Sequence, residues 1–142
     1  MLFNIKQKQQ KESPFMITVT SLDHLVLTVR SIAETTAFYE MLGMTAITFG
    51  EGRTALTFGQ QKINLHEYQN EFEPKAANPT PGSEDLCFLV AQPVSDIKKM
   101  LEKKNIKVIE GPVERTGAQS AIESIYLRDP DNNLIELSNM KS

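Results

Sequence analysis

Four side chains of metal-ligating type fall where strands are expected: His24, His66, Asp85 and Glu136. Imidazole nitrogen and carboxylate oxygen together suit a divalent ion of the Zn, Ni, Mn, Fe or Co kind. Cys87 is the only cysteine, so an internal disulfide and a thiolate zinc motif are both excluded. His24 and His66 are the only histidines. Any one of the four, alone, is more often a solvated or packed residue than a ligand, since Glu and Asp are mostly exposed and lone histidines mostly structural. Their placement relative to one another makes them candidates, and that depends on the elements that carry them.

Glu136 stands in Leu127-Arg-Asp-Pro-Asp-Asn-Asn-Leu-Ile-Glu-Leu137, which reads as two short strands around a tight turn. Pro130 presets φ, Asp129 can bond its own backbone, and Asn132 and Asn133 tolerate positive φ. Strand side chains alternate, so Leu134, Glu136 and Ser138 share one face and Ile135 and Leu137 the other. Residues 22–29 read as a strand with Leu22, His24, Val26 and Thr28 on one face. Ser31 and Glu34 form a capping-box pattern for a helix to about Leu42, ended by Gly43. Ala37, Phe38, Met41 and Leu42 are its expected core residues. A strand over 46–49 follows, then a hairpin of 53–58 and 62–68 around Gly59, with Asn64, His66 and Tyr68 on one face. Residues 69–81 hold three prolines and read as a linker or binding loop. Residues 85–90 read as a strand, and 93–104 as a second helix burying Ile97, Met100 and Leu101. A short strand at 108–109, a loop over 111–118 and a strand over 122–127 complete the chain.

The order is strand–helix–strand–strand–strand, twice, a pattern that calls for a repeat comparison. Asp23 to Val29 aligns with Glu84 to Val90 at an offset of 61. Leu65-His66 aligns with Ile135-Glu136 at an offset of 70. His24 then corresponds to Asp85, and His66 to Glu136. The expected fold is α+β, two βαβββ modules pairing into a curved mixed sheet with the helices outside. The modules are expected over about 21–69 and 83–140 of a single domain spanning 21–140, joined by a linker over 70–82. All four candidates fall on the face away from the helices.

Composition sets the outer bounds. At 142 residues the chain has room for one domain, and 40% hydrophobic residues suffice for a core. No run of about 18 apolar residues is present, so no helical membrane span is expected. A net charge of −3 without a basic stripe speaks against a nucleic-acid partner. Residues 1–20 read as a disordered tail, polar and Lys-bearing at its start. The location expected is the cytoplasm, with organelle targeting by that tail left open. Phe58, Tyr68, Phe72 and Cys87 are candidates to line a pocket, and Arg53, Arg115 and Arg128 to hold an anionic substrate.

The chain resembles the vicinal-oxygen-chelate superfamily of glyoxalase, bleomycin-resistance and extradiol-dioxygenase proteins. The likeness rests on Leu22-Asp-His-Leu-Val-Leu-Thr-Val29, Ala37-Phe-Tyr-Glu-Met-Leu-Gly43, Ile63-Asn-Leu-His66 and Arg128-Asp-Pro-Asp-Asn-Asn-Leu-Ile-Glu136. It covers about residues 21–139. Within the superfamily, Asp85-Leu-Cys-Phe88 is most similar to the glyoxalase domain-containing proteins. The resemblance implies a divalent metal held by His24, His66, Glu136 and Asp85, where Asp85 replaces a longer His or Glu. It implies a glyoxalase I-type lyase or isomerase, with Glu136 as catalytic base and a small oxygen-chelating substrate, a thiol adduct among the options. A non-haem iron dioxygenase or thiol transferase at the same residues, and a metal-free small-molecule binding module, are the alternatives. A homodimer is the expected assembly.

Overall fold

A computed structural model describes residues 16–141. The tail expected over 1–20 lies outside the described residues as far as residue 15. The elements are β1 (His24–Val29), α1 (Ile32–Met41), β2 (Thr45–Phe49), β3 (Arg53–Phe58), β4 (Gln61–Glu67), β5 (Asp85–Leu89), α2 (Val94–Lys103), β6 (Glu110–Thr116), β7 (Ala121–Arg128) and β8 (Leu134–Met140). They form the expected α+β architecture: βαβββ, twice. There are two four-stranded mixed sheets, ordered β1-β4-β3-β2 and β5-β8-β7-β6. No described helix is long and apolar enough to cross a membrane.

The chain divides into two compact units. The first holds Ser21–Asp85 and the turn Arg128–Leu134; the second holds Leu86–Leu127 and the chain from Ile135 onward. In the first unit β1 runs parallel to β4, with His24 opposite Lys62, Val26 opposite Asn64 and Thr28 opposite His66. β4 is antiparallel to β3, with Ala55 opposite Asn64. Leu27, Val29, Leu56, Ile63 and Leu65 are buried on the face that α1 covers. The opposite face carries His24, Val26, Thr28, Asn64 and His66, because side chains in register point the same way.

Helix α1 starts where the sequence places it, since the Ser31 hydroxyl accepts from Glu34 N at 3.1 Å. It ends at Gly43, whose φ of 98° a side chain would resist. Its buried residues are Thr35 and Tyr39 rather than Ala37, Phe38, Met41 and Leu42. The reason is polar: Tyr39 is drawn inward because its hydroxyl donates to Asp129 at 2.7 Å. Asp129 also accepts from Asp131 N, Asn133 N and Asn133 Nδ2. The β7–β8 turn is thereby built into the first unit. Burial, and next the Asp129 charge, hold the Tyr39 phenol far above its usual range, so it remains a donor. Asn132 takes the positive φ of this turn, 67°, as its residue type predicts.

In the second unit α2 buries Val94, Ile97 and Leu101, while Met100 is exposed. Pro93 has no side chain to cap the helix, so Asn139 of β8 accepts from Val94 N instead, at 2.8 Å. The segment read as a loop over 111–118 is largely strand β6. Gly111 and Pro112 sit at a register shift against β7, on the edge of the sheet, where proline is tolerated.

Candidate functional site

His24 opens β1. Its ring is exposed, and Nδ1 lies 2.8 Å from Asp23 Oδ1, which fixes the ring from one side. Asp85 opens β5 and is exposed. His66 is different: it is 6% exposed, and its Nδ1 is buried with no hydrogen-bond partner. Burial, followed by the nearby Arg53 charge, lowers the His66 pKa against the opposing pull of Glu71 and Glu73. The ring is therefore neutral. Phe72 packs edge-on against it at 5.7 Å, and the Arg53 guanidinium lies over the Phe72 ring at 4.3 Å. Two residues earlier on the same face, Asn64 Oδ1 is also buried and unpartnered.

Glu136 is half-buried on β8 and lines a cavity of about 530 Å³ in the second unit. Leu89, Ile122 and Met140 give that cavity apolar walls; Cys87, Arg115 and Tyr126 give it polar ones. Arg115 Nε donates to the Tyr126 hydroxyl at 3.0 Å, and its Nη2 to Glu110 Oε2 at 2.9 Å. Burial raises the Tyr126 pKa; the Arg115 hydrogen bond opposes that rise and the Glu136 charge adds to it. The phenol stays protonated beside Arg115, and both line the cavity with Glu136. Below Glu136, Ser138 Oγ meets Ser124 Oγ at 2.6 Å and Cys87 Sγ at 3.3 Å.

The register revises how these residues correspond. In the first unit Tyr68 N donates to Val29 O. Leu134 N donates to Glu84 O, and Val90 N to Ser138 O. With β1 matched to β5 at 61 residues, these bonds match β4 to β8 at 72, not 70. Asn64 therefore occupies the place of Glu136, and His66 that of Ser138. The sequence holds a sign of this: Ile63-Asn-Leu-His66 matches Ile135-Glu-Leu-Ser138 by its apolar pair, at 72 residues. His24 and His66 are four ladder pairs apart, roughly 13 Å along the strands at about 3.3 Å per residue. Rings that stand off one sheet at that spacing do not converge on an ion whose bonds are about 2.0–2.2 Å. Among the described residues, no group of three or more His, Cys, Asp or Glu is placed to hold a metal. Asn64 and Tyr126 are the residues that the sequence reading did not select. Of the arginine candidates, only Arg115 lines the Glu136 cavity; Arg53 lies beside His66, and Arg128 is exposed.

The sequence profile described as Glyoxalase/Bleomycin resistance protein/Dioxygenase superfamily matches residues 21–137. The Glyoxalase domain-containing protein RDO1 of Mycosarcoma maydis is 54% identical over 133 residues, 94% of this chain and 73% of that protein. Virulence protein STM3117 of Salmonella typhimurium is 51% identical over 140 residues, 97% of each chain. The crystal structure of STM3117 superposes with a TM-score of 0.85 at 54% identity, covering 88% of this chain and all of that one. The fosfomycin resistance protein FosX of Listeria monocytogenes, solved with Mn(II), has a TM-score of 0.61 at 21% identity, over 87% of this chain and 93% of that one. At that identity the likeness is one of fold alone.

Proposed function

The chain belongs to the Glyoxalase/Bleomycin resistance protein/Dioxygenase superfamily, and from that premise we propose that it is a metal-dependent lyase or isomerase of glyoxalase I type. Its substrate is a small molecule with two neighbouring oxygens, a thiol adduct among the candidates. The observation that carries this reading is the equivalence of donors in the two repeats. His24 and Asp85 open the first strands, and Asn64 and Glu136 stand at matching places on the last.

By donor chemistry alone, since no three of the described His, Asp or Glu residues are grouped, these residues would suit a divalent ion of the Zn, Ni, Mn, Fe or Co class. His24 supplies nitrogen and Asp85 and Glu136 supply carboxylate oxygen. The buried, unsatisfied carbonyl oxygen of Asn64 is an acceptor in need of a cation or donor. His66 is not in this set, for the reason the register gives. Held by those residues, such an ion would supply Lewis-acid chemistry toward the substrate oxygens.

The chain's own residues have separate tasks. Glu136 moves the substrate proton as general base, because it lies in the apolar-walled cavity of the second unit. The Tyr126 hydroxyl, held by Arg115, lines the same cavity, and the Ser138 hydroxyl approaches that carboxylate at 3.5 Å. Leu89, Ile122 and Met140 take the apolar body of the substrate and limit water around the base. A homodimer, read by sedimentation, belongs to the same proposal.

The test is elemental analysis of protein purified without added metal, paired with turnover of the methylglyoxal–glutathione adduct. His24→Ala and Glu136→Ala should lose both metal and turnover. His66→Ala should keep its metal. Loss of metal in His66→Ala as complete as in Glu136→Ala would restore the two-histidine ligand set. A metal-loaded chain without turnover would remove the glyoxalase reaction, and oxygen uptake on iron loading would replace it with a dioxygenase.

A further inference from the structure

Helix α1 leaves apolar residues outside. Thr35 and Tyr39 are its buried residues, whereas Ala33 and Ala37 are exposed and Ile32 is half-buried. These three line an open groove of about 500 Å³ together with Ala46 and Ile47 of β2. Glu40 is the only charged residue in its lining. Beside the groove, β2 ends the sheet β1-β4-β3-β2 and pairs only with β3. Beyond that ladder, Thr45 O accepts from the Thr57 hydroxyl at 3.1 Å, again from β3. The far edge of β2 is open.

The outer strands of the two sheets are guarded differently. β6 carries Glu110, Glu114 and Arg115, with Pro112 at a register shift. Charges, proline and bulges keep a sheet edge from pairing with another chain. β2, Thr45-Ala-Ile-Thr-Phe49, has none of them. Its β-branched and aromatic residues are the kinds that pair well, and Ile47 at its centre is 39% exposed.

The strand also complements itself. Antiparallel pairing about Ile47 sets that residue against Ile47 of a second copy, Ala46 against Thr48, and Thr45 against Phe49, with no charge opposed to its like. Such a contact is two-fold, so it closes at two chains and does not propagate. A five-residue strand alone buries too little for a lasting contact, which takes roughly 1,000 Å² in total. The apolar residues of α1 beside it extend the area.

We propose that the homodimer is joined edge to edge: β2 pairs antiparallel with β2 of a second copy, the sheet continues from one chain into the other, and that copy closes the groove along α1. The inference rests on the dimer included in the reading above and names the face that makes it. No metal or substrate enters it.

Sedimentation velocity of the full chain over a range of concentrations tests this, with circular dichroism to show that each variant is folded. The parent should dimerise. Ile47→Lys should weaken the dimer about 100-fold, because two ammonium groups would meet on the axis. Ile47→Glu should do the same. An equimolar mixture of the two should regain the dimer, which a general loss of apolar surface would not allow. Ala37→Arg, in the groove, should weaken it about tenfold. Leu22→Lys, at an apolar residue 62% exposed outside α1 and β2, should leave it unchanged. In the parent, amide exchange at residues 45–49 should slow as concentration rises, and this decides the matter should the Ile47 variants fail to fold. A monomeric parent, an Ile47→Lys chain that dimerises as the parent does, or a mixture no more associated than its components would overturn the inference. So would amide exchange in β2 that ignores concentration. The readouts are mass and exchange, so a monomer that holds metal and turns over its substrate would defeat this contact and leave the glyoxalase reading standing.

Discussion

The two repeats share a plan and treat the face away from the helices in opposite ways. In the first, Asn64 Oδ1 and His66 Nδ1 are buried with nothing to bond. In the second, the matching Ser138 bonds Ser124 and Cys87 and approaches the matching Glu136 at 3.5 Å. Duplication fixed where these residues stand on the ladder. It did not fix what they do. A fully bonded face is stable without a ligand; a face with buried orphan atoms is stable enough only because packing elsewhere outweighs their cost. The first repeat therefore leaves buried polar atoms unbonded on this face, and the second bonds the polar atoms that match them.

The hairpins sharpen this contrast most. The β3–β4 turn passes through Gly59 with φ of 54°. The β7–β8 turn is organised by Asp129, 4% exposed, which accepts four hydrogen bonds, including the one from Tyr39. Asp129→Ala should cost about 3–5 kcal/mol, because it strands buried donors around a lost charge. Gly59→Ala should cost only about 1 kcal/mol, the strain of a left-handed residue. Urea unfolding of both variants measures the difference. Equal losses would mean that the Asp129 turn is no more demanding than an ordinary hairpin.

Metal affinity is the next largest effect. On the metal proposal, Glu136→Gln should weaken divalent-ion binding about 100-fold, some 2.7 kcal/mol. Asn64→Ala, at the same place in the other repeat, should weaken it about tenfold, since a neutral carbonyl gives up less than a carboxylate. Competition with a chelator of known affinity reads both. An unchanged affinity in Asn64→Ala would leave its buried oxygen without the role given to it.

Much of this was legible in the residues, and what was not has identifiable causes. The duplicated βαβββ order came from periodicity and turn residues, and Ser31, Gly43 and Asn132 behave as their side chains dictate. The Asp-Pro-Asp turn was legible as a turn, but its attachment to α1 was not, because Tyr39 and Asp129 are 90 residues apart. That bond also misdirected the expected buried side of α1, by placing a tyrosine where an apolar count favours Phe38. The correspondence of His66 with Glu136 failed by two residues. Such a slip keeps a side chain on the same face, so alternation cannot detect it; only the ladder bonds can. Pro112 hid β6, since proline argues against a strand except at an edge or bulge.

The caps of the two helices form a smaller pair. Asn139 accepts from Val94 N and donates to Val90 O and Gln92 O, so it closes α2 from a distant strand. Ser31 caps α1 locally with a single bond. Asn139→Ala should cost about 2 kcal/mol and Ser31→Ala about 1 kcal/mol. Thermal unfolding should rank them in that order. The reverse order would show that α2 tolerates an open start.

The finest distinction is pH dependence, measured on metal-free protein. Burial lowers the His66 pKa below its ordinary value of 6.5. Between those two values the unfolded chain binds a proton that the folded ring resists, so stability rises with pH there. The His66 contribution is full above pH 6.5, declines as pH falls toward the lower folded value, and is flat beneath it. Ser138, its counterpart, does not titrate and adds no such slope. His66→Gln should therefore flatten the stability profile just below pH 6.5, relative to the parent. The carboxylates shift both curves alike and cancel in the difference. Parallel profiles for parent and variant would show that the folded imidazole takes up its proton as readily as the unfolded one, so that burial does not lower its pKa.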